Sequence, residues 1–336
     1  MMFNPLPVPP ALLDFIHNHE KFIVSGHREP DGDCLGSTLA LCSALKRLGK
    51  EAVPCSAGPF KRAEVKHLES LFCSQIDPGL RSGAAVIIVD CSSLERIGDL
   101  QESLRDLDIA MIDHHAMGQC DDANNEPSLL YIDSTYIDPA APSVTFMILR
   151  LIEALGLVPT EQEASRLFFG LCTDTGFFRH IDSSGAETFA AASALIRAGA
   201  NPKTTFQLIN GGKSLDSRIL LGKVLSRAES YYEGRLIVST ELYEETQRFG
   251  AEGRDSDMLY QLFQSVAGVE AIVILRQESP DNCTIGFRSR DEVNVAEIAH
   301  AFGGGGHKNA AGLSISGLIE ELKPQIIAAF LPVFSK

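Results

Sequence analysis

The chain has 336 residues, a length that suggests about two domains of roughly 150 residues each. Hydrophobic residues make up 45% and charged residues 22%, which excludes a disordered chain, a collagen and a coiled coil. The formal net charge of −15 disfavours a protein that clamps long DNA or RNA, because such binding needs a broad basic face. Binding of a few phosphates, above all through metal ions, remains compatible with this charge.

The eight cysteines are scattered and include no CxxC pair, so they indicate neither a disulfide framework nor a tetrahedral zinc site. We therefore expect reduced thiols and a cytoplasmic protein. The first residues lack the basic segment and the apolar run of a signal peptide. Because the sequence contains no run of about 18 uncharged apolar residues, we expect no membrane span.

Strand-like and helix-like segments alternate over the first 200 residues, which predicts an α/β domain with a mostly parallel sheet flanked by helices. The candidate strands are Phe22–Ser25, Ala84–Val89 and Ile109–Ile112. Helical spacing is seen in Leu35, Leu39, Cys42 and Leu45. Two capping boxes, Thr160 with Glu163 and Ser184 with Glu187, predict the starts of further helices. In such a fold the ligand-binding loops lie at the carboxyl ends of the strands.

The alternation stops at Asn210–Lys213, where two adjacent glycines predict a hinge or loop. A polar helical stretch over Leu215–Tyr231 follows and is a candidate connector between domains. A second, smaller α/β pattern begins at Arg235. Its candidate strands are Leu236–Thr240, Glu270–Leu275 and Thr284–Phe287, and its candidate helices are Met258–Val266, Val295–Ala301 and Leu318–Ala329.

The segment GHREPDGD directly follows the first candidate strand and holds three candidate metal ligands, His27, Asp31 and Asp33. Pro30 and Gly32 force a tight turn, so that both carboxylates can point at one centre. The alternative is an Asp-Gly turn in which Asp33 only caps the following helix.

Three further segments place acidic or imidazole side chains at the ends of regular elements. Asp90 ends the apolar run VIIVD, and Asp174 closes a capped apolar helix. Asp113, His114 and His115 follow another buried strand. The carboxylate of Asp174 lies at the unfavourable end of the helix dipole, and a bound cation would offset that cost. The alternatives are a helix cap at Asp90, two loop histidines that pack independently, and a solvated Asp174.

Together these segments supply four carboxylates as candidate ligands, from Asp31, Asp33, Asp90 and Asp174, and up to three imidazoles, all at the ends of regular elements. This composition suits two divalent ions about 3.5–4 Å apart, bridged by a carboxylate, that hold a phosphate and activate a water. Four aspartates and two divalent ions leave a nearly neutral core. A phosphate-bearing substrate would then need additional cationic groups.

The second half of the chain offers such groups beside a run of glycines. Successive glycines expose backbone N–H groups that can cradle a phosphate, and an arginine can contact it in bidentate fashion. The candidate substrate-binding residues are Arg288, Gly303, Gly304, Gly305, Gly306 and His307. The alternative is a flexible loop with solvated arginines. Lys308, Arg179 and His180 are equally compatible with substrate contact and with a surface role.

In this order, the motifs resemble the DHH–DHHA1 phosphoesterase family, and in particular its bacterial nanoRNase/pAp-phosphatase subfamily. The resemblance rests on GHREPDGDCLGS at 26–37, VIIVD at 86–90, DHH at 113–115, GLCTDTG at 170–176 and GGGGHKNAAG at 303–312. It implies a catalytic DHH domain over 1–210, a linker with a connector helix over 211–232, and a substrate-binding DHHA1 domain over 233–336, with a cleft between the two domains.

The resemblance also implies a ligand set for two divalent ions, manganese first, with magnesium or cobalt as substitutes. His27, Asp31 and Asp90 would bind one ion. The other would be bound by Asp33, Asp90, His114 and Asp174, so that Asp90 bridges the two. His115 would touch the scissile phosphate as an acid or charge stabiliser, and Asp113 would orient its neighbours.

The function implied is hydrolysis of short oligoribonucleotides, linear dinucleotides included, to mononucleotides, and of 3′-phosphoadenosine 5′-phosphate (pAp) to AMP. The expected partners are these substrates, without long nucleic acid and without a membrane. Three alternatives stay open: a RecJ-type single-strand exonuclease, an inorganic pyrophosphatase and a nucleotide-binding regulator without catalysis. The acidic charge and the short chain disfavour a RecJ-type exonuclease. A pyrophosphatase would carry a clustered Arg-Lys-Lys signature, where this chain has GGGGH. The intact set of candidate metal ligands disfavours a regulator without catalysis.

Overall fold

The computed structural model describes residues 5–91, 93–115, 133–250, 253–290 and 293–335. The chain divides into two compact units, Met1–Gly211 and Gly212–Lys336. No helix in the described ranges is both long enough and apolar enough to cross a membrane. The seven cysteines in those ranges are free thiols, and Cys120 lies outside them.

The first unit is built on a parallel five-stranded sheet with the strand order β2-β1-β3-β4-β5. Its strands are β1 Lys21–Ser25, β2 Glu51–Cys55, β3 Ala85–Val89, β4 Ile109–Asp113 and β5 Ser134–Ile137. The three candidate strands are therefore confirmed. The sequence analysis missed the two edge strands because β2 contains a proline and an exposed glutamate, and β5 is short and half polar.

Helices cover this sheet, which confirms the expected α/β class. They are α1 Pro10–Asn18, α2 Gly32–Arg47, α3 Ala63–Lys66, α4 Pro78–Arg81, α5 Val144–Ala154, α6 Glu161–Asp174, α7 Ala186–Arg197 and α8 Pro202–Asn210, with 3₁₀ segments at Glu69–Leu71 and Leu94–Leu104. Alternate strand residues enter different cores: Phe22 and Val24 join the larger apolar cluster with α2, whereas Ile23 joins a smaller cluster with Leu94–Leu104.

The strand order creates a switch point in this sheet. β1 lies between β2 and β3, so the connections after β1 and β3 leave the sheet in opposite directions. In open α/β sheets a crevice forms at such a point, outside the carboxyl ends of the strands. The segments after β1, β3 and β4 are those in which the sequence places His27, Asp90 and His114.

The second unit contains a six-stranded mixed sheet with the order β10-β11-β9-β8-β7-β6. Its strands are β6 Glu229–Tyr231, β7 Leu236–Glu241, β8 Ala271–Ser279, β9 Asn282–Ser289, β10 Gly305–His307 and β11 Ala310–Ser316. Its helices are α9 Leu215–Ser226, α10 Tyr243–Phe249, α11 Ser256–Gln264, α12 Val295–Ala301, α13 Ile319–Ala329 and α14 Leu331–Phe334. One apolar cluster joins the sheet to α12 and α13, and another joins its opposite face to α9 and α11.

One of the two expected capping boxes is correct. The Oγ1 of Thr160 accepts a hydrogen bond from the Glu163 N–H, and the Glu163 side chain accepts one from the Thr160 N–H. The box at Ser184 is wrong, since α7 begins at Ala186 without a side-chain cap. Ser184 instead donates from its N–H and its Oγ to Oδ1 of Asp182. This local bond satisfies the serine before the helix begins.

The expected connector helix over Leu215–Tyr231 is too long. α9 ends at Ser226, and Glu229–Tyr231 forms the edge strand β6, paired with β7. Leu220 and Val224 of α9 pack with Ile237 of the second sheet, so α9 is part of that unit's apolar core. The polar sequence after Ser226 therefore serves an exposed sheet edge rather than a longer helix.

The glycine run is more ordered than a phosphate-cradling loop requires. Gly303 and Gly304 donate their N–H groups to the carbonyls of His300 and Ala299, at the carboxyl end of α12. Gly305 and Gly306 lie in β10, which pairs with β11. The expectation of four successive exposed N–H groups is thus wrong for Gly303 and Gly304, because the end of α12 engages their N–H groups.

Candidate metal centre

The loop after β1 holds His27 in a tightly packed place. A Cβ atom at Gly26 would lie 2.3 Å from Sγ of Cys34 and 2.6 Å from the carbonyl oxygen of Val89. Only glycine therefore allows β1 to turn here against the end of β3. Nδ1 of His27 lies 2.8 Å from the Arg28 carbonyl oxygen, which can only accept. Nδ1 therefore carries the proton, and Nε2 is left to face the site.

The carboxylates of Asp31 and Asp33 accept hydrogen bonds from the N–H groups at the N-terminal ends of α2 and α5. Oδ1 of Asp31 accepts from the N–H groups of Asp33 and Cys34, both at 3.1 Å, and so caps α2. Asp33 is completely buried, and its carboxylate accepts from the N–H groups of Val144 and Thr145 at 2.6 and 2.8 Å. The helix cap that was the alternative role for Asp33 thus belongs to Asp31, whereas Asp33 binds the first N–H groups of α5.

Asp90 lies at the centre of the cluster. It follows β3 with a φ of 55°, a left-handed conformation that is uncommon for a residue other than glycine, and its N–H donates to the Ile112 carbonyl oxygen. Its carboxylate oxygens lie 3.4 Å from Nε2 of His27, 3.8 Å from Nε2 of His114 and 3.6 Å from Nδ1 of His115. The side chain is buried, and its Oδ1 has no hydrogen-bond partner among the described residues.

His114 is oriented in the same way as His27. Its Nδ1 lies 3.2 Å from the carbonyl oxygen of Ala141, so that Nε2 is free to bind. Nε2 lies 3.3 Å from Oδ2 of Asp174, the last residue of α6. Imidazoles that bind metals are typically held by a carbonyl or carboxylate at the second ring nitrogen, and both histidines have this arrangement.

His115 is directed by Asp113. The fully buried Asp113 accepts at Oδ1 from the N–H of His115 at 3.1 Å and lies 2.8 Å from its Nδ1. This hydrogen bond to Asp113 raises the pKa of His115, although partial burial opposes the shift. The His115 side chain is 41% exposed, and its Nε2 makes no hydrogen bond within the described chain. His115 is therefore positioned to present Nε2 to a ligand.

The cluster concentrates negative charge in a buried space. Burial raises the pKa values of Asp33 and Asp90. Burial also raises the pKa of Asp174 to about 6, against the effect of nearby His114. Burial lowers the pKa of His27, but the hydrogen bonds to Asp31 and Asp90 have the larger effect and raise it to about 10. The carboxylates thus require a nearby positive charge, which a proton or a cation can supply.

The donor atoms fit divalent metal ions. Three groups have ligand atoms within 4.8 Å of one another: His27–Cys34–Asp90, Asp90–His114–His115 and Asp33–His114–Asp174. Asp90 and His114 each belong to two of these groups. Carboxylate oxygens and imidazole nitrogens suit manganese and similar ions, and the unpartnered Oδ1 of Asp90 is a buried acceptor that such an ion would satisfy.

The structure brings together the predicted ligands of the first unit, His27, Asp31, Asp33, Asp90, His114 and Asp174, within one cluster. Asp31 lies at its border, with Oδ1 3.9 Å from Nε2 of His27. Cys34 also lies in the cluster, and the sequence analysis did not select it because a single cysteine inside a helix pattern gives no ligand signal. The carbonyl of Ala141, which orients His114, has no side-chain signature at all.

Three of the predicted substrate residues of the second unit, Arg288, Gly305 and His307, share one face of its sheet, whereas Gly306 pairs with Ala311 in the row that faces the other side. Arg288 in β9 is in register with Ala310 in β11, which is in register with His307 in β10. In the next row of this face, β9, β11 and β10 contribute Gly286, Gly312 and Gly305, and a Cβ atom at Gly286 would lie 2.2 Å from the hydroxyl oxygen of Tyr260. The guanidinium of Arg288 lies 4.8 Å from the ring centroid of Tyr260 and donates to the Phe287 carbonyl oxygen. These residues form a low surface bordered by a cation and an imidazole.

Comparison with known proteins gives matches over most of the chain. Residues 21–171 match the DHH family, N-terminal domain, and residues 234–336 match the DHHA1 domain. Over 297 residues the chain is 32% identical to the bifunctional oligoribonuclease and PAP phosphatase NrnA of Thermus thermophilus. That alignment covers 88% of this chain and 84% of the relative.

Solved structures show the same fold. An exopolyphosphatase-related protein from Bacteroides fragilis superposes with a TM-score of 0.79 at 23% identity, covering 97% of this chain and 96% of that one. RecJ from Thermus thermophilus, solved in complex with Mn²⁺, superposes with a TM-score of 0.52 at 19% identity. That match covers 98% of this chain and 56% of RecJ.

Proposed function

The chain belongs to the DHH family and carries a DHHA1 domain, and on that premise we propose that it is a phosphoesterase acting on short oligoribonucleotides and on pAp. The products would be mononucleotides and AMP. The observation that carries the proposal is Asp90, a buried carboxylate with an unpartnered oxygen between the Nε2 atoms of His27 and His114. The Thermus relative, named for both activities, supports the choice of substrates.

Two divalent ions, manganese first, are part of the proposal. His27, Asp31 and Asp90 would hold one ion, and Asp33, Asp90, His114 and Asp174 the other. When bound, such ions neutralise phosphate charge and lower the pKa of a water so that it can attack. The hydrogen bonds from Val144 and Thr145 fix the carboxylate of Asp33 against α5, and so fix the direction of its remaining lone pairs.

His115 and Asp113 supply the polar contact to the reacting phosphate. Because Nδ1 donates to Asp113, Nε2 is the nitrogen left for a ligand, and it is a donor when the ring is protonated. A donor at that atom stabilises negative charge on a phosphate oxygen, or protonates the leaving oxygen. The buried carboxylate of Asp113 favours the protonated ring, in the way that an aspartate does behind a catalytic histidine.

The second unit would bind the part of the substrate that does not react. Arg288 can contact a phosphate in bidentate fashion, and His307 is in register with it two strands away, at about 10 Å. Beside His307, Gly305 and Gly312 add no side chain to this face. A short ligand suits these few groups and the acidic charge of the whole chain.

A turnover assay tests this function. The full chain with manganese is given a short RNA, pAp and pyrophosphate in parallel, and Asp90→Asn serves as the variant that keeps shape but loses charge. We expect release of mononucleotides and AMP by the wild type and a loss of about 10³-fold in the variant, as several kcal/mol of metal stabilisation would be removed. Asp14→Asn, an exposed aspartate in α1, is the matched control and should leave turnover unchanged.

Two results would overturn the proposal. Hydrolysis of pyrophosphate without hydrolysis of RNA or pAp would identify a pyrophosphatase. Tight nucleotide binding without turnover of any of the three substrates would identify a regulator.

A further inference from the structure

A cavity of about 280 Å³ adjoins the metal centre within the first unit. One wall contains Asp174, and another contains Ala140 and Pro142, which flank the carbonyl that orients His114. The remaining polar lining comes from the segment after α6 and from the start of α7. The cavity therefore adjoins two proposed metal ligands, yet it has its own set of polar side chains.

A strained turn places one of these side chains. Gly176, Phe177 and Phe178 have φ values of 56°, 57° and 71°, three successive residues in the left-handed region. For two phenylalanines this conformation is costly, and such strain persists where the surrounding structure enforces it, often at ligand sites. Packing enforces it here, since the Phe178 ring lies 5.3 Å from that of Phe189 and 6.1 Å from that of Phe168.

The turn folds Arg179 and His180 back over Gly176. A Cβ atom at Gly176 would lie 2.7 Å from the imidazole of His180, so the close approach requires glycine. Nε of Arg179 donates to Nε2 of His180 at 3.2 Å. Because an arginine can only donate, Nε2 is the acceptor and Nδ1 of His180 carries the proton. His180, which lines the cavity, thus offers it an N–H donor rather than a second acceptor.

The types of side chain that line the cavity indicate the class of ligand that fits it. Among the described residues around the cavity, the imidazole of His180 is the one aromatic ring, and no lysine or arginine is present to match a phosphate. The lining instead combines carboxylates, hydroxyls and the imidazole: Asp174, Thr175, His180, Asp182, Ser184 and Thr188. Such a mixture of neutral donors with acceptors suits a ligand rich in hydroxyl groups and repels an anion.

Two of these side chains can contact a ligand in the cavity. Thr188 is 1% exposed and lines the cavity, so its hydroxyl lies where a ligand in the cavity can contact it. Asp182 uses Oδ1 to accept both bonds from Ser184, which leaves Oδ2 for a ligand.

We propose that this cavity is a ribose subsite, which holds the sugar of the nucleotide whose phosphate lies at the metal centre. The inference rests on the proposed function for the identity of that nucleotide. The cavity is smaller than the roughly 300–1,000 Å³ of a site for a drug-sized ligand, which fits one sugar and part of its base. Thr188 and Asp182 bind the ribose hydroxyls, and this contact distinguishes RNA from DNA.

Equilibrium binding tests the subsite without requiring turnover. The affinities of AMP and of 2′-deoxy-AMP are measured by calorimetry with the full chain and manganese. We expect AMP to bind about 5- to 10-fold more tightly, the factor for one hydrogen bond. Thr188→Val, which keeps the shape, and Asp182→Asn, which keeps the acceptor for Ser184, should remove that preference. Thr205→Val, a buried threonine of α8 outside the cavity lining, should retain it.

The possible outcomes distinguish a failure of the ribose subsite from a failure of the proposed function. Equal affinities for the two nucleotides in the wild type, or an equal loss of both in Thr188→Val, would overturn the ribose subsite. The control Thr205→Val should turn over bis(p-nitrophenyl) phosphate, which has no sugar, at the wild-type rate. If the wild type hydrolyses no phosphoester but still prefers AMP, then the proposed reaction is wrong and the subsite stands.

Discussion

The candidate metal centre of the first unit and the proposed substrate face of the second unit differ in how their side chains are held. At the centre, Asp33, Asp90 and Asp113 are buried, and the last two each have an oxygen without a hydrogen-bond partner among the described residues. On the sheet face, Arg288 is half-buried and His307 is exposed beside a row of glycines. The buried carboxylates are held in fixed positions, as a reacting site requires. The more exposed side chains of the sheet face can adjust to ligands of different shape.

This contrast has an energetic reason. A buried carboxylate without a counterion is costly, so the fold must hold it rigidly with backbone N–H groups, as it does for Asp33. An arginine stacked on Tyr260 retains access to water and needs no such enclosure. Substitutions at the centre should therefore affect the chemical step, and substitutions on the sheet face should affect binding.

Asp113→Asn tests the buried centre of the first unit, and we expect it to reduce activity more than the substitution on the sheet face. The variant keeps the size of the side chain but removes the charge that holds His115 through Nδ1. We expect kcat to fall by about 10- to 100-fold while the affinity for manganese stays the same. Steady-state kinetics and a manganese titration would measure both quantities.

Asp106→Asn is the control for that variant, because Asp106 is exposed and its left-handed backbone suits asparagine equally well. If Asp113→Asn lost manganese affinity in proportion to kcat, then Asp113 would hold the metal site rather than His115. The distinction drawn between the ligands and the residues that orient His115 would then be wrong.

Arg288→Lys tests the sheet face of the second unit, and we expect it to reduce activity less than Asp113→Asn does. Lysine keeps the charge but loses the planar group that stacks on Tyr260 and contacts phosphate in bidentate fashion. We expect KM for a dinucleotide to rise about 10-fold with kcat unchanged. Arg290→Lys, at an exposed arginine two residues along the chain, is the matched control. A fall in kcat without a change in KM would contradict binding through Arg288.

The sequence predicted the interior of the first sheet better than its edges. β1, β3 and β4 are continuous apolar runs because both of their faces are buried, whereas β2 and β5 carry polar residues and were missed. The connector was misjudged for a related reason. Its last residues form an edge strand, β6, whose polar character resembles that of an exposed helix.

The ligand residues were identifiable because aspartate and histidine are unusual directly after buried strands. The elements that orient them were not identifiable, since the carbonyl of Ala141 and the N–H of Val144 have no side-chain signature and lie far along the chain from their partners. The glycine run was misinterpreted because a glycine in a short strand and a glycine in a loop have the same sequence signal.

The proposed function depends on Asp90 bridging two manganese ions. This bridge can be seen in crystals of the full chain grown with manganese and measured for anomalous scattering. We expect two peaks, both in contact with the Asp90 carboxylate, with His27 beside one peak and with His114 and Asp174 beside the other. A single peak, or two peaks of which neither contacts Asp90, would contradict it.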